Sequence, residues 1–494
     1  MGQHRLVQSR GAKFAFLSPH ISLNTSPNRL TWYIDKYLLL GIVSAFNANL
    51  SKINDIFQVE KYIKEEVSMK EIPACVENLT EEVKKMCGSE HKQWAQVFEK
   101  TFSDTITNAL VEDENGIFVL TGDIPAMWQR DSTAQVRPYL IAAQKDKKTA
   151  DLIKEVLKRQ FFNMNIDTYA NAFNQIANNK GHQSDKTKMS PWIWERKYEI
   201  DSLAYPINLA YLYWKNTDDT SIFDESFINA THKAVETWQT EQHHNQSDYT
   251  FERFIDRPED TLINNGRGSE VAFTGMTWCG FRPSDDACVY NYSIPENMFA
   301  HKVLLQLAEI YQDVLHDKDF AVECQNLADE ILVGIKQYGV IKDQDGNDIY
   351  AFEVDGLGHH LFMDDANVPN LISLPYLGLV DKDDPIYQNT RRASLSKQNK
   401  YYYTGKYASG IGSPHTPEGY IWPIALAIEG MTTDSQDEKE QLLNTLVNTT
   451  NNTQMMHEGF DPNDPSKFTR PWFSWANMMF CELVLDYFGL KIKQ

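Results

Sequence analysis

Six times along this 494-residue chain, a polar loop rich in acids, tryptophan and proline runs directly into an apolar segment of helical length. The apolar segments are hydrophobic nearly all round, as expected of helices that are buried on both sides. A proline or an acidic residue stands at the start of each segment, which is typical of helix N-termini. These segments follow Asp131, Asp201, Pro295, Pro369, Pro417 and Pro471.

More amphipathic segments lie between the apolar ones, at 150–162, 224–239, 320–334 and 437–449. Alternating buried and exposed helices indicate a barrel of six inner and six outer helices. The predicted fold class is therefore all-α, an (α/α)6 barrel over residues 69–494, with short β insertions. The clearest insertions are a strand at 116–120 and a hairpin at 342–350 that turns on Asp345-Gly346.

The first 68 residues differ from the rest and are predicted to form a separate N-terminal extension, either disordered, helical or a leader. An apolar run, YLLLGIVSAF, begins at Tyr37 and ends at Phe46. Ten residues are too few to span a bilayer. The run has the length of a signal h-region, in which case the protein would be exported.

Six cysteines stand at positions that match neither a zinc knuckle nor a dense disulfide framework. Most are predicted to be buried thiols, although Cys75 and Cys87 would be able to pair in an exported protein. Together with the weak leader signal, this pattern favours a cytoplasmic location. All six are Cys75, Cys87, Cys279, Cys288, Cys324 and Cys481.

The formal net charge of −21 limits the classes of partner that the chain is expected to bind. Nucleic acid and anionic membranes would be repelled by such a surface, so neither is predicted as a partner. A neutral ligand fits better. The chain has 11 Trp, 23 Tyr and 25 Phe, enough to line a carbohydrate groove, although most of them must belong to the core.

The sequence TGDIPAMWQRDSTAQVRPY, at 121–139, has the composition of a wall of a polar-ligand site. Trp128 offers a flat apolar face, Arg130 a rigid fork of donors and Asp131 two acceptor oxygens. This mixture suits a ligand that has flat faces and many hydroxyl groups. Sugars have that character.

Two further loops supply carboxylates. GFRPSDDACVYNYSIPEN, at 280–297, contains Asp285 and Asp286, and HEGFDPNDPSKFTRPWFSW, at 457–475, contains Glu458 and Trp472. Each loop precedes an inner helix, so the loops should gather at one end of the barrel. Two carboxyl groups in unequal environments are what cleavage of a glycosidic bond requires.

The residues leave other classes of function open. His359-His360 and Asp364-Asp365 are candidate metal ligands, but neither HExxH nor a carboxylate set at ligand spacing occurs, so no metal or cofactor is predicted. His415, in SPHTPEGYIWP, is expected to donate or accept hydrogen bonds rather than act as a base.

Four motifs together resemble glycoside hydrolase family 125, the exo-acting α-1,6-mannosidases: GDIPAMWQRDSTAQVRPY, FRPSDDACVYNYSIPENMFA, SPHTPEGYIWP and HEGFDPNDPSKFTRPWFSWAN. The resemblance runs from about residue 69 to the C-terminus. It implies an (α/α)6 barrel that removes terminal non-reducing α-mannose from N-glycan or mannan-derived oligosaccharides, without a metal and with inversion at the anomeric carbon. The alternatives are a barrel glycosidase for another α-glycoside such as an α-glucoside, a metal-dependent mannosidase and a carbohydrate-binding protein without catalysis.

The resemblance also implies roles for individual residues. Asp285 would be the general acid, with the adjacent Asp286 as the alternative, and Glu458 would be the general base. Inversion would place the two catalytic carboxyl groups roughly 6.5 to 9.5 Å apart. Asp285 is expected to be protonated when substrate binds, with its pKa raised by burial or by a neighbouring acid such as Asp286. The substrate-binding residues are predicted to be Trp128, Arg130, Asp131, Asp286, His415 and Trp472.

Overall fold

The structure is a computed structural model that describes residues 71–494. The predicted extension at 1–68, including the apolar run from Tyr37 to Phe46, lies outside the described residues. Within 71–494, no helix is both long enough and apolar enough to cross a membrane.

The described residues contain thirteen helices joined by loops and short antiparallel strands. Short helical turns lie at Thr105–Ala109, Arg137–Tyr139, His244–Gln246, Pro258–Asp260 and Ile263–Gly266. The helices are α1 (Ala74–Cys87), α2 (Lys92–Asp104), α3 (Gln129–Val136), α4 (Leu140–Ala143), α5 (Lys147–Ile166), α6 (Asp201–Thr217), α7 (Glu225–Glu241), α8 (Ile294–Asp313), α9 (Lys318–Tyr338), α10 (Pro385–Ser394), α11 (Pro423–Met431), α12 (Gln436–Asn448) and α13 (Ser474–Tyr487).

Fourteen strands of two to five residues form small antiparallel sheets in the loops between the helices. The sheets are β1–β2, β3–β4–β5, β10–β9–β6, β7–β8, β11–β12 and β13–β14. The strands are β1 (Leu110–Asp113), β2 (Gly116–Val119), β3 (Met127–Trp128), β4 (Ala172–Phe173), β5 (Ile193–Glu195), β6 (Tyr292–Ser293), β7 (Val340–Lys342), β8 (Asp348–Tyr350), β9 (Glu353–Val354), β10 (His360–Leu361), β11 (Tyr402–Thr404), β12 (Ser409–Ile411), β13 (Phe460–Asp461) and β14 (Asp464–Phe468).

Five of the six predicted inner segments are helices whose surfaces are buried nearly all round. Every residue of α3 is buried, and α13 is buried from Ser474 to Leu485. α3 contacts both α6 and α13, α6 contacts α8, and α11 contacts α13. The outer helices bury one face only, as in α2, where Trp94, Phe98 and Phe102 point inward. The four amphipathic segments predicted from the sequence lie in α5, α7, α9 and α12.

The prediction of a helix after Pro369 is wrong. Residues 371–379 form a series of turns, although Leu371 and Ile372 are fully buried. Pro375 lacks the N–H that a continuous helix needs at this point. The carboxylate of Asp364 instead accepts hydrogen bonds from the backbone of Leu371 and Ile372. This segment is therefore buried where an inner helix was predicted, although it is not helical.

The structure also tests the predicted strands and the cysteines. The strand at 116–120 and the hairpin that turns on Asp345-Gly346 are present as β2 and β7–β8. All six cysteines are free and five are buried. Cys75 and Cys87 lie near opposite ends of the 14-residue helix α1, about 18 Å apart at 1.5 Å per residue, so they cannot pair.

Gly122 should be intolerant of any side chain because it lies in a tight turn against the C-terminal motif loop. Its φ of +56° is unfavourable for other residues, and an added Cβ would lie 2.4 Å from the carbonyl oxygen of Trp472. We expect Gly122→Ala to lower the free energy of unfolding by about 1 to 3 kcal/mol, measured by urea denaturation.

Gly346 is the matched control, because it has a φ of +85° but open space around its Cα. Gly346→Ala should cost less than Gly122→Ala, since it has the backbone strain without the clash. Equal losses for the two variants would contradict the close packing of the turn at Gly122.

Candidate active site

A pocket of about 250 Å³ opens at the end of the barrel where the motif loops meet. Three aromatic residues that immediately precede inner helices line it: Trp128 before α3, Trp422 before α11 and Phe473 before α13. The predicted gathering of the loops at the N-terminal ends of inner helices is therefore observed. The full lining is Thr121, Ile124, Trp128, Arg130, Asp131, Pro283, Ser284, Asp285, Asn367, His415, Trp422, Glu458, Arg470, Phe473 and Trp475.

Arg130, in the first turn of α3, is the central cation of the pocket and is 3% exposed. Its guanidinium donates to Glu199 at 2.8 Å and to Asp285 at 3.2 Å, and it lies 3.4 Å from Asp201. The guanidinium also lies over the ring of Trp475, 5.5 Å from its centroid. Surrounding carboxylates hold its pKa well above the usual range although burial opposes this. Arg130 is therefore a fixed positive charge at the pocket floor.

Four buried polar atoms of the pocket lining have no hydrogen-bond partner among the described residues. They are Trp128 Nε1, Arg130 Nε, Asp131 Oδ2 and Ser284 Oγ, of which Arg130 Nε and Asp131 Oδ2 form an ion pair at 3.5 Å. Buried polar groups usually have partners, so unpaired donors and acceptors that line one pocket indicate a polar ligand. Two donors, one acceptor and one hydroxyl match the alternating donor and acceptor character of sugar hydroxyls.

Asp131 and Asp285 differ in how the protein sets their protonation. Burial raises the pKa of Asp131 to about 6, although Arg130 opposes the rise. Burial would also raise the pKa of Asp285, but Arg130, a hydrogen bond from Glu199 and the charge of Lys197 hold it below the usual range. This shift is opposite in direction to the rise expected of Asp285 when substrate binds, because three cationic or donor groups face this carboxylate.

The backbone of Asp285 is held in a left-handed conformation, with a φ of +64°. Lys197 Nζ donates to the carbonyl oxygen of Asp285 at 2.6 Å, and the backbone N–H of Asp285 donates to the carbonyl oxygen of Arg282. Aspartate tolerates this region better than most residues. Residues held in such conformations cluster at functional sites, and here the strain directs the carboxyl group toward Arg130 and the pocket.

Asp286 does not line the pocket, which corrects its predicted role in binding substrate. It is fully buried, and its carboxylate accepts hydrogen bonds from Arg257 at 2.7 Å and His415 at 3.2 Å. Adjacent residues of an irregular loop point in different directions, so only Asp285 reaches the ligand space. Asp286 instead supports His415, which does line the pocket.

His415 has a raised pKa in this site. Burial alone would lower its pKa, but the hydrogen bond and the charge of Asp286, with Glu458 beyond, raise it to about 9. An imidazolium can donate hydrogen bonds and cannot accept a proton. The structure thus agrees with the expectation that His415 is a hydrogen bonder and not a base.

Glu458 lines the same pocket as Asp285 and lies just before the β13–β14 hairpin. Its N–H donates to Thr469, and the Thr469 N–H donates to Gly459, which fixes the loop. Arg470 lies 3.8 Å from its carboxylate and is itself held by Asp123 and by the carbonyl of Thr121. The two predicted catalytic carboxyl groups are therefore brought to one pocket, as the sequence predicted.

Trp472 does not line the pocket, and its predicted role as a pocket wall is corrected. Its indole N–H donates to Asp104 of α2 at 2.6 Å, so the ring packs between the C-terminal loop and the outer helix. Trp475, three residues later in the first turn of α13, takes the wall position. Sequence reasoning also missed Trp422, whose signal is the aromatic residue directly before an inner helix, as at Trp128.

The candidate metal ligands do not assemble at this pocket. His359 pairs with Asp355, and both Asp364 and Asp365 are buried acceptors of hydrogen bonds from the backbone. Among residues 71–494, the one group with metal-compatible spacing is Glu90, His91 and Glu440. None of these three lines the pocket.

A helical barrel whose pocket is lined by aromatic side chains, by two carboxyl groups from separate loops and by unpaired polar atoms is typical of a glycoside hydrolase. Residues 91–485 match the family described as metal-independent alpha-mannosidase (GH125). The match covers most of the chain, and the chain belongs to this family. It is an α-mannosidase with an (α/α)6 barrel, so the fold class, the resemblance and the enzyme class predicted from the sequence are confirmed.

Individual relatives agree with this placement. The chain is 50% identical, with a TM-score of 0.84, to a Streptococcus pneumoniae structure from a family of metal-independent alpha mannosidases, in a non-productive complex with alpha-1,6-mannobiose. The alignment covers 85% of this chain and 99% of that one. The chain is also 39% identical over 440 residues to the Meiotically up-regulated gene 157 protein of Schizosaccharomyces pombe, covering 84% and 86% of the two chains.

A more distant structure shares the fold alone. The glucoamylase of Saccharomycopsis fibuligera is 12% identical, with a TM-score of 0.50, and the alignment covers 86% of this chain and 97% of that one.

Proposed function

We propose that this enzyme removes terminal α-1,6-linked mannose from the non-reducing end of mannose-containing oligosaccharides, by a single displacement with inversion. The observation that carries the proposal is the convergence of Asp285 and Glu458 on one pocket, in which Trp128 Nε1 and Ser284 Oγ have no hydrogen-bond partner among the described residues. The family membership and the mannobiose complex of the streptococcal relative support the sugar and the linkage.

In the proposed reaction, the glycosidic oxygen accepts a proton from Asp285 as its bond to the anomeric carbon breaks. Glu458 takes a proton from a water molecule that attacks the anomeric carbon from the opposite face. The products are β-mannose and the shortened oligosaccharide. Arg130, Asp131 and Ser284 would bind the hydroxyl groups of the departing mannose, while Trp128, Trp422 and Trp475 pack against its apolar faces.

The substrate proposal is tested by comparing disaccharides. Purified protein with a chelator present should release mannose from α-1,6-mannobiose, and should release little glucose from isomaltose. A trisaccharide of α-1,6-linked mannose should first give mannose and mannobiose, because an exo-acting enzyme removes single terminal sugars. Glucose release that matches mannose release would favour the α-glucosidase alternative, and loss of activity in chelator would contradict metal independence.

We further propose that the protein acts in the cytoplasm, where thiols stay reduced. The spacing of the six cysteines and their burial as free thiols support this location. Fractionation of cells that express the full chain, with its native N-terminus, tests it. Recovery of glycosylated enzyme from a secretory compartment would contradict it.

A further inference from the structure

A third carboxyl group, Glu199, lies directly behind Asp285, just before helix α6. Its side chain is fully buried, whereas the side chain of Asp285 is 20% exposed in the pocket. Arg130 bridges the two: Nη1 donates to Glu199 at 2.8 Å and Nη2 donates to Asp285 at 3.2 Å. Asn171 bridges them again, since its amide lies 3.3 Å from Glu199 and 3.2 Å from Asp285.

The shared contacts of Arg130 and Asn171 bring the two carboxyl groups close to each other, and a hydrogen bond between them raises the pKa of Glu199 and lowers that of Asp285. Carboxylates are acceptors only, so such a contact requires one proton between the two groups. Burial raises the pKa of Glu199 well above its usual range, while Arg130, Glu199 and Lys197 hold that of Asp285 low. These opposite shifts favour Glu199 over Asp285 as the residue that holds the proton.

We infer that Glu199 is a positioning residue that supplies Asp285 with the proton it gives to the leaving group. The inference rests on the proposed function, in which Asp285 must be protonated when the glycosidic bond breaks. The Glu199 O–H transfers its proton to the Asp285 carboxylate, and the leaving oxygen then takes that proton from Asp285 as its bond to the anomeric carbon breaks.

The proton balance closes over one catalytic cycle. Glu199 loses one proton, the leaving oxygen gains one, and Glu458 gains one from the attacking water. After the products leave, Glu458 releases its proton to solvent and Glu199 regains one from solvent. No metal, oxidant or second substrate is required.

Other charged groups face this pair from every side and set the balance between them. Arg130 is the nearest cation, Lys197 and His415 add further positive charge on the Asp285 side, and Asp201 adds negative charge on the Glu199 side. Cations near Asp285 favour its carboxylate, and an acid near Glu199 disfavours a second negative charge. The groups that surround the pair are Arg130, Asp131, Glu195, Lys197, Asp201 and His415.

The test is the Glu199→Gln variant, assayed on one substrate whose leaving group must be protonated and on one whose leaving group need not be. On α-1,6-mannobiose, kcat/KM should fall by about 10²-fold, because the amide can hold Asp285 in place but supplies no proton. On 2,4-dinitrophenyl α-mannoside, whose leaving group needs no protonation, it should fall by less than about threefold. The alkaline limb of the pH profile on mannobiose should move to lower pH. Without the proton of Glu199, the acid is Asp285 alone, and its acid form is lost at lower pH because its pKa is lower.

Glu353→Gln is the matched control. Glu353 is a buried acid that pairs with Arg282 and accepts hydrogen bonds from Val289 and Tyr290, so it holds the same loop without a bond to Asp285. It should lower activity on both substrates by the same factor. Glu199→Asp, which keeps a proton donor, should recover part of the mannobiose activity and covers the case in which the glutamine variant does not fold.

An equal loss on both substrates for Glu199→Gln, with an unmoved pH profile, would overturn the inference. This result differs from a failure of the proposed function, in which the unaltered enzyme releases no mannose from mannobiose. The quantity that decides is kcat/KM of each variant divided by kcat/KM of the unaltered enzyme, compared between the two substrates.

Discussion

Replacement of Glu458 by glutamine should lower kcat on every substrate by about 10³- to 10⁴-fold, because the amide cannot take a proton from the attacking water. The leaving group should not matter, since the base acts on the water and not on the departing oxygen. Steady-state release of mannose from mannobiose and of phenolate from an aryl mannoside measures both effects.

Azide provides a positive test of this role. The azide ion attacks without losing a proton, so it should restore turnover of Glu458→Gln and give β-mannosyl azide. Asp123→Asn is the matched control, because Asp123 also pairs with Arg470 but does not line the pocket. It should change kcat by only a few-fold. Wild-type kcat in Glu458→Gln would remove Glu458 from the mechanism.

Replacement of Asp285 by asparagine should separate the two kinds of leaving group. On α-1,6-mannobiose, kcat/KM should fall by about 10²- to 10⁴-fold, because the alkoxide of a sugar leaves poorly without a proton. On 2,4-dinitrophenyl α-mannoside, most activity should remain. Burst and steady-state assays of both substrates on the same preparation measure the difference.

Asp286→Asn is the control for the neighbouring acid. Asp286 holds His415 and Arg257 and does not line the pocket, so its loss should lower both activities by a similar, smaller factor. If Asp286→Asn instead shows the dependence on leaving group and Asp285→Asn does not, the two adjacent acids have been assigned in the wrong order.

The barrel was predictable because burial imposes a visible pattern on the sequence. Segments buried all round, such as α3 and α13, must be apolar on every face, whereas α5 and α9 need only one apolar face. The prediction of a helix after Pro369 was wrong because a buried apolar segment does not have to be helical. There, the Asp364 carboxylate accepts hydrogen bonds from backbone N–H groups that would otherwise donate to carbonyl oxygens within a helix.

The sequence was sufficient to predict which loops form the site. It was not sufficient to predict which side chains of those loops face the pocket or contact each other. Trp472 and Trp475 stand three residues apart, and only the start of α13 at Ser474 decides which ring faces the pocket. The partnership of Glu199 with Asp285 joins two distant loops through Arg130 and Asn171, and no local pattern reports such a contact. The lowered pKa of Asp285 depends on that same long-range arrangement.

The central claim is that Asp285 and Glu458 act as acid and base in a single displacement at one pocket. Proton NMR of mannose as it is released from α-1,6-mannobiose tests this most directly, before mutarotation mixes the anomers. We predict that β-mannose appears first, with a chelator present and at the same rate without it. Initial α-mannose would show retention and would contradict the role given to Glu458.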